Sequence, residues 1–253
     1  MPKTILVTGG GRGIGRAVAL AFAEPGSVVA IAARTTAQLE DAADAIGKRG
    51  AQPVVLALDV TDERAVAAAF DTLRAVSPRL DVLVNNAGIG GGQPLDKTDT
   101  ESWRRILDTN VWGTFLVTRQ AVPLLGDGGR VINMSSVLGR FGVAGYTAYC
   151  ASKHAVIGFT RALALELVKR GITVNAICPG WVETDMATQG MQRGANAMGL
   201  TLEEFRTQAL GRVPIKRIIE PEEVANLVKF LASPEASAIT GQTYNICGGQ
   251  IMN

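Results

Sequence analysis

Short β-branched runs alternate with longer alanine-rich stretches of helical period along the whole chain. That alternation restricts the fold more than any other feature. The strand-like runs fall at 4–8, 28–32, 53–58, 81–85, 130–135, 173–177 and 243–246. The helical pattern covers 13–24, 36–49, 62–76, 101–124, 147–169 and 221–232. Strands that alternate with helices in this way pair in parallel, and right-handed crossovers put the helices on both faces. The expectation is an α/β chain with a doubly wound, parallel, seven-stranded sheet. Such strands are buried on both sides and need apolar runs. Composition agrees: 47% of residues are hydrophobic but only 5% aromatic, so Ala, Val, Leu and Ile must build the core. No linker, repeat or low-complexity segment interrupts 1–253, which predicts a single domain. The one long break is 185–212, which holds four glycines together with Met186, Met191, Met198, Leu200 and Phe205. So long a connection in a compact domain usually serves function. It reads as a mobile apolar lid, or as a surface loop with one short helix near 202–210.

Charge and cysteine content exclude several classes of function. With 25 basic and 23 acidic residues the net charge is +2, and no basic run exceeds the pairs Arg104-Arg105 and Lys169-Arg170. Neither nucleic acid nor a membrane surface is an expected partner. Cys150, Cys178 and Cys247 lie far apart, which fits a reducing compartment rather than a disulfide framework. One histidine, His154, and no cysteine cluster predict no metal site. The start runs straight into a strand pattern, with no signal peptide expected, and no apolar run approaches the roughly 18 residues of a membrane span. A cytoplasmic protein is expected.

The first strand runs into Gly9-Gly10-Gly11-Arg12-Gly13-Ile14-Gly15, and a helix follows. Glycines in such a turn let the backbone approach a pyrophosphate, while the helix N-terminus supplies free N–H groups and partial positive charge. The spacing is Thr8-Gly9-x-x-x-Gly13-x-Gly15 rather than G-x-G-x-x-G. An acid about 20 positions beyond the glycines would bind the ribose of NAD, whereas an Arg accommodates the 2′-phosphate of NADP. Here Ala33 and Arg34 end the second strand, and Arg12 offers a second guanidinium. This favours NADP(H) over NAD(H), the alternative being that Arg34 is simply solvated. Asp59 and Val60, after the third strand, are placed for the adenine. Asn86-Ala87-Gly88, after the fourth, supplies small residues where a cofactor must lie close to backbone.

Tyr149 and Lys153 are four apart in a helical stretch and so share a face. A free phenol has a pKa of about 10. A fixed ammonium, joined by the charge of oxidised nicotinamide, would favour phenolate by roughly 1–3 pH units per close charge. Ser136, thirteen residues before Tyr149, can hold a carbonyl oxygen beside the phenol. Ser135 competes for that role, with capping or strand packing as its other reading. Asn110 sits mid-helix, where Asn has poor propensity. Its presence points to a task for the side chain or to a distorted turn.

Taken together, Thr8-Gly9-x-x-x-Gly13-Ile14-Gly15, Asn86-Ala87-Gly88, Asn110, Ser136, Tyr149-x-x-x-Lys153 and Pro179-Gly180 resemble the short-chain dehydrogenases/reductases, in order and spacing, over essentially the whole chain. The resemblance implies a Rossmann fold and an NADP-dependent oxidoreductase acting on C=O or CH–OH groups. It implies that Tyr149 is the general acid/base, that Ser136 orients the carbonyl, and that Lys153 binds the nicotinamide ribose and lowers the Tyr149 pKa. Asn110 would hold a water of the proton relay, and Val182 and Thr184 would contact the carboxamide. It also implies a homotetramer, with helices near 101–124 and 147–169 at one interface and 246–253 at another.

The tail from Arg212-Val213-Pro214-Ile215 to Gly248-Gly249 is similar to that of 3-oxoacyl-carrier-protein reductases and bacterial polyketide ketoreductases, as is the Gly90-Gly91-Gly92 loop. A 3-oxoacyl thioester on a carrier protein or CoA is thus one candidate substrate, and a small or cyclic ketone the other. Lys169-Arg170 could contribute to carrier docking, opposed by an acidic loop at 126–129. Gly139, Phe141, Val143, Tyr146, Trp181 and the lid methionines are pocket candidates. Cys150 and His154 are expected to carry no chemistry. A non-catalytic NADP-binding sensor is the rival from another class, but Tyr149, Lys153 and Ser136 are all present. A sugar-nucleotide epimerase is disfavoured because the chain ends soon after its seventh strand.

Overall fold

The computed structural model describes residues 3–252, so the expectations placed on the extreme termini (Met1, Pro2 and Asn253) lie outside the described residues. The strands are β1 (Thr4–Thr8), β2 (Val28–Ala33), β3 (Gln52–Ala57), β4 (Leu80–Asn85), β5 (Leu125–Met134), β6 (Thr173–Pro179) and β7 (Thr243–Ile246). The helices are α1 (Gly13–Ala21), α2 (Thr36–Gly47), α3 (Glu63–Val76), α4 (Thr100–Leu107), α5 (Gly113–Ala121), α6 (Thr147–Leu167), α7 (Asp185–Met198), α8 (Leu202–Gly211) and α9 (Pro221–Leu231). The strands form one sheet in the order β3-β2-β1-β4-β5-β6-β7, and every adjacent pair is parallel.

Side chains alternate across each strand, and here both faces are covered. Ile5 and Val7 of β1, Val29 and Ile31 of β2, and Val82 and Val84 of β4 join a core with α1, α2 and α9. Their neighbours Leu6, Ala30 and Leu83 point the other way, into a core with α3, α5 and α6. The absence of alternating polar positions therefore follows from burial on both sides. β3 is the outer strand, where Val55 is exposed. An edge position also tolerates Pro53, which has no N–H to give to a ladder.

Three elements depart from the sequence reading. The helix expected over 101–124 is broken by a π-helical turn at Asp108–Trp112. Strand β5 begins five residues earlier than 130, because Leu80 pairs with Leu125 before a register shift brings Val82 to Arg130. The 126–129 segment is therefore bulged strand rather than loop. At Gly126 the Arg79 guanidinium occupies the place a Cβ would take.

The expected lid at 185–212 is a hairpin of two helices, not a loop. Thr184 caps α7 by accepting a hydrogen bond from the Ala187 N–H, and α7 ends at Gly199 in the left-handed region (φ 66°). Thr201 and Glu204 form a capping box at the start of α8.

Candidate active site

With its faces sealed, the sheet is open only at its ends, and ligands of such sheets bind at the carboxyl ends where strand order reverses. Here that point lies between β1 and β4. The Thr8 hydroxyl accepts the N–H groups of Asn86 and Ala87, each at 3.0 Å, and the Asn86 amide donates to the Thr8 and Gly9 carbonyls at 3.0 and 3.3 Å. Asn86 is therefore a clamp on the glycine turn as well as part of the cavity wall.

The turn itself is built for close approach. Gly9 and Gly13 have φ of 66° and 52°, a conformation that side chains disfavour. A Cβ on Gly15 would overlap the Gly9 carbonyl oxygen. Arg12, at the N-cap of α1, makes no side-chain cap. The first-turn N–H groups are thus uncapped, as a phosphate cradle requires. These features fit a dinucleotide.

The residues assigned to its adenosine end are in less free settings. Arg34 lies 3.6 Å from Asp59, and Arg12 3.1 Å from Asp185 at the start of α7; all four are substantially exposed. Asp59 also accepts from the Thr61 N–H and hydroxyl. Val60 is buried in the core, where it fills the space left by Gly113.

The catalytic candidates converge from three elements. Lys153, on α6, is 5% exposed, and its Nζ donates to the Met134 carbonyl at the end of β5 at 2.9 Å. Nζ also lies 5.6 Å from the Tyr149 ring centre. A Cβ on Gly88 would sit 3.5 Å from this Nζ and 3.1 Å from Asn110 Oδ1, so Gly88 leaves room where the two meet.

Asn110 lies within the π-turn and is 1% exposed. Its Oδ1 accepts from the Ile89 N–H, and its Nδ2 donates to the Ile89 carbonyl and to Ser152 Oγ. Both amide protons are therefore committed to protein, which leaves one lone pair for the expected water. Ser152 in turn donates to the Tyr149 carbonyl at 2.8 Å.

The two serines take different tasks. Ser135 Oγ donates to the Lys153 carbonyl at 2.9 Å and so ties β5 to α6. Ser136 caps the turn at 137–139 by accepting from the Leu138 N–H, and its hydroxyl is near enough to Tyr149 to lower the phenol's pKa.

Burial controls the electrostatics. It pushes the Tyr149 phenol up to about 12, against the opposing hydrogen bond from Ser136. The same burial pulls the Lys153 ammonium down to about 8. In the polypeptide alone burial dominates and keeps the phenol protonated, and a positive charge placed beside it would favour phenolate.

These residues face a cavity of about 570 Å³ with a mainly apolar wall. Ile14, Pro179, Gly180, Val182 and Thr184 line it on the nucleotide side, and Phe141, Val143, Tyr146, Trp181, Met186 and Met198 line it on the other. Two pocket candidates fall elsewhere. Gly139 packs against Ser135 and Lys153, and Met191 is 1% exposed in the core. His154 binds the Cys150 carbonyl on its own helix. The hairpin α7–α8 also contributes Gly194, Phe205 and Arg193. Arg193 does not stand out in the sequence, because two glycines obscure the period of α7.

A family model described as enoyl-(acyl carrier protein) reductase matches residues 9–250. A ketoacyl reductase of a monensin polyketide synthase from Streptomyces virginiae is 42% identical, over 98% of this chain and 96% of its own length. A 3-oxoacyl-[acyl-carrier-protein] reductase from Vibrio cholerae is 38% identical, over 99% and 98%. The crystal structure of a single-residue variant of actinorhodin polyketide ketoreductase with NADPH superposes with a TM-score of 0.94 at 38% identity, covering 98% of this chain and 97% of that one. The chain belongs to the short-chain dehydrogenase/reductase family and is an oxidoreductase.

The opposed pKa values predict a pH signature in stability. Between about pH 8 and 10 the unfolded chain holds the Lys153 proton while the folded protein has released it, so this residue makes stability rise with pH. Above about pH 10 the folded protein keeps the Tyr149 proton that the unfolded chain loses, and that contribution falls. Denaturant titrations of wild type and K153M should therefore show their stability difference shifting in favour of wild type from pH 8 to 10. A difference that does not change with pH contradicts the assignment.

Proposed function

We propose that the protein is an NADP(H)-dependent ketoreductase acting on a 3-oxoacyl thioester or related ketone, with Tyr149 as the proton donor. The observation that carries this reading is the joining of Tyr149, Ser136 and Lys153 to a glycine-rich cradle through one cavity. A reduced nicotinamide, held by residues 9–15, Asn86 to Gly88, Lys153 and Pro179 to Thr184, would supply the hydride. Tyr149, protonated well above neutral pH, gives its proton to the carbonyl oxygen. Ser136 donates a second hydrogen bond to that oxygen as negative charge develops, the kind of preorganised stabilisation that usually dominates catalysis. Lys153 then favours the phenolate, and Asn110 fixes the 88–89 backbone beneath it.

Arg34 and Arg12 support the preference for NADP(H). Both are exposed, and each has a single carboxylate partner, a contact worth little at a surface. A 2′-phosphate can compete for such cations, whereas Ala33 offers nothing to the ribose hydroxyls of NAD(H). Relatives named for acyl-carrier and polyketide substrates support the thioester. Arg170 does not, because it is engaged by Asp127 and by the Val122 and Leu125 carbonyls.

A homotetramer fits exposed Trp112, Leu165 and Val168 on the α4–α5 and α6 segments. A cytoplasmic location fits three separate buried thiols. Among the described residues no helix is long and apolar enough to cross a membrane.

Following NADPH absorbance with an acetoacetyl thioester tests the reaction. Y149F should lose at least about a hundredfold in kcat and keep the thermal shift caused by NADPH. Near-normal turnover in Y149F removes Tyr149 from its role. Replacing Ala33 with Asp and Arg34 with Ser should move the kcat/KM ratio toward NADH, and an unchanged ratio places recognition of the 2′-phosphate elsewhere.

A further inference from the structure

Beside the main cavity lies a smaller one of about 190 Å³, and Gly90, Gly91 and Arg193 line both. Among the described residues the charged groups on the two walls are all cationic. Lys153, Arg193 and Arg212 face the larger cavity, and Arg105 and Arg193 the smaller, with no described Asp or Glu on either. Arg193 stands at the junction. It is half-buried, its Nε is shielded from solvent and unbonded, and among the described residues no carboxylate pairs with it.

The acids of the same hairpin are engaged elsewhere. Asp185 pairs with Arg12, Glu204 closes the capping box of α8, and Glu203 lies near Arg206. Arg206 itself pairs with Glu183 at 2.5 Å. A cation held against an apolar wall without a counter-charge is unfavourable. An anion brought in by a ligand relieves that cost, and a planar guanidinium matches phosphate and carboxylate oxygens in particular.

We infer that Arg193, with Arg105 on the wall of the smaller cavity, receives an anionic group on the substrate, a phosphate or a carboxylate, while the ketone end reaches Tyr149. The inference rests on the ketoreductase reading for the position of the ketone, but not for the anion site itself. Gly91 leaves space at the junction, since a Cβ there would come within 3.2 Å of Ile106. Lys153 lines only the larger cavity, beside Tyr149, whereas Arg193 lines both, so the two cationic positions serve different parts of one ligand.

Calorimetry on protein saturated with NADP+ tests this without turnover, using two matched pairs of probes. One pair is 4′-phosphopantetheine and pantetheine, and the other is 5-oxohexanoate and its methyl ester. In wild type, one pair should show the anion bound at least about tenfold more tightly than its neutral partner, the size of a single charge-assisted hydrogen bond. The pair that does so identifies the source of the charge. R193Q should erase that preference and R193K retain part of it, with the NADPH thermal shift confirming that both variants fold.

No preference for the anion in either pair, or a preference that survives in R193Q, overturns the inference. The thioester assay judges the reaction separately. An Arg193-dependent preference in a protein that reduces no ketone keeps the anion site and refutes the ketoreductase reading. Turnover without the preference does the reverse.

Discussion

Because helices cover both faces of the parallel sheet, chemistry in this fold is confined to the carboxyl edge. There the clamp between Thr8 and Asn86 holds the ends of β1 and β4 together. The glycine turn, the 86–92 loop and the π-turn at Asn110 are all referred to this joint. Asn110 ties the loop to α6 through Ile89 and Ser152, and α6 carries Tyr149 and Lys153. A buried polar chain continues behind the site, from Thr118 and Asn85 to Asn133 and on to Thr160. These bonds join β4, β5, α5 and α6 in one arrangement, since breaking any of them would leave a buried amide unsatisfied. The catalytic groups are thus positioned by strands and helices rather than by loops.

The same burial that fixes the site determines its charge. Desolvation holds Tyr149 neutral and weakens the hold of Lys153 on its proton. A phenol kept protonated is suited to donate to a developing alkoxide, and a lysine near 8 is still mostly charged at neutral pH. The polypeptide therefore favours the acid form of Tyr149, and on the proposed reading the positive charge of an oxidised nicotinamide would supply the influence that favours the base. The proposed function would thereby divide the acid and base roles of one residue between the two directions of reaction. Among the described residues no carboxylate pairs with Arg193, which lines the same cavity, and an anionic group on the substrate is the partner we infer for it.

Much of this is legible in the chain itself. The period-two burial of both sheet faces leaves continuous apolar strands, and the positions of Gly9, Gly13 and Gly15 follow from backbone approach alone. The poor helix propensity of Asn110 marks the π-turn. The misreadings have local causes. Glycines 126, 128 and 129 hide the bulged start of β5, and Gly190 and Gly194 hide α7, although its Thr184 cap and Gly199 terminus are present in the sequence. The capping box Thr201-x-x-Glu204 is likewise there to be read. The roles of Thr8, Ser152 and Asn133 are not readable, because each depends on a partner distant in sequence. The burial of Tyr149 and Lys153 is not readable either, because the i, i+4 spacing shows the neighbouring charge but not how deeply the pair lies.

The central claim is that the protein holds Tyr149 protonated and the cofactor's charge lowers it. The chain has three tyrosines, so replacing Tyr146 and Tyr244 with Phe leaves Tyr149 as the sole phenol. Its ultraviolet phenolate absorbance can then be titrated with and without saturating NADP+. The account predicts a midpoint near 12 for the protein alone and a fall of roughly one to three pH units with NADP+. A midpoint close to the ordinary value of about 10 without cofactor, or no fall on adding it, would contradict the account.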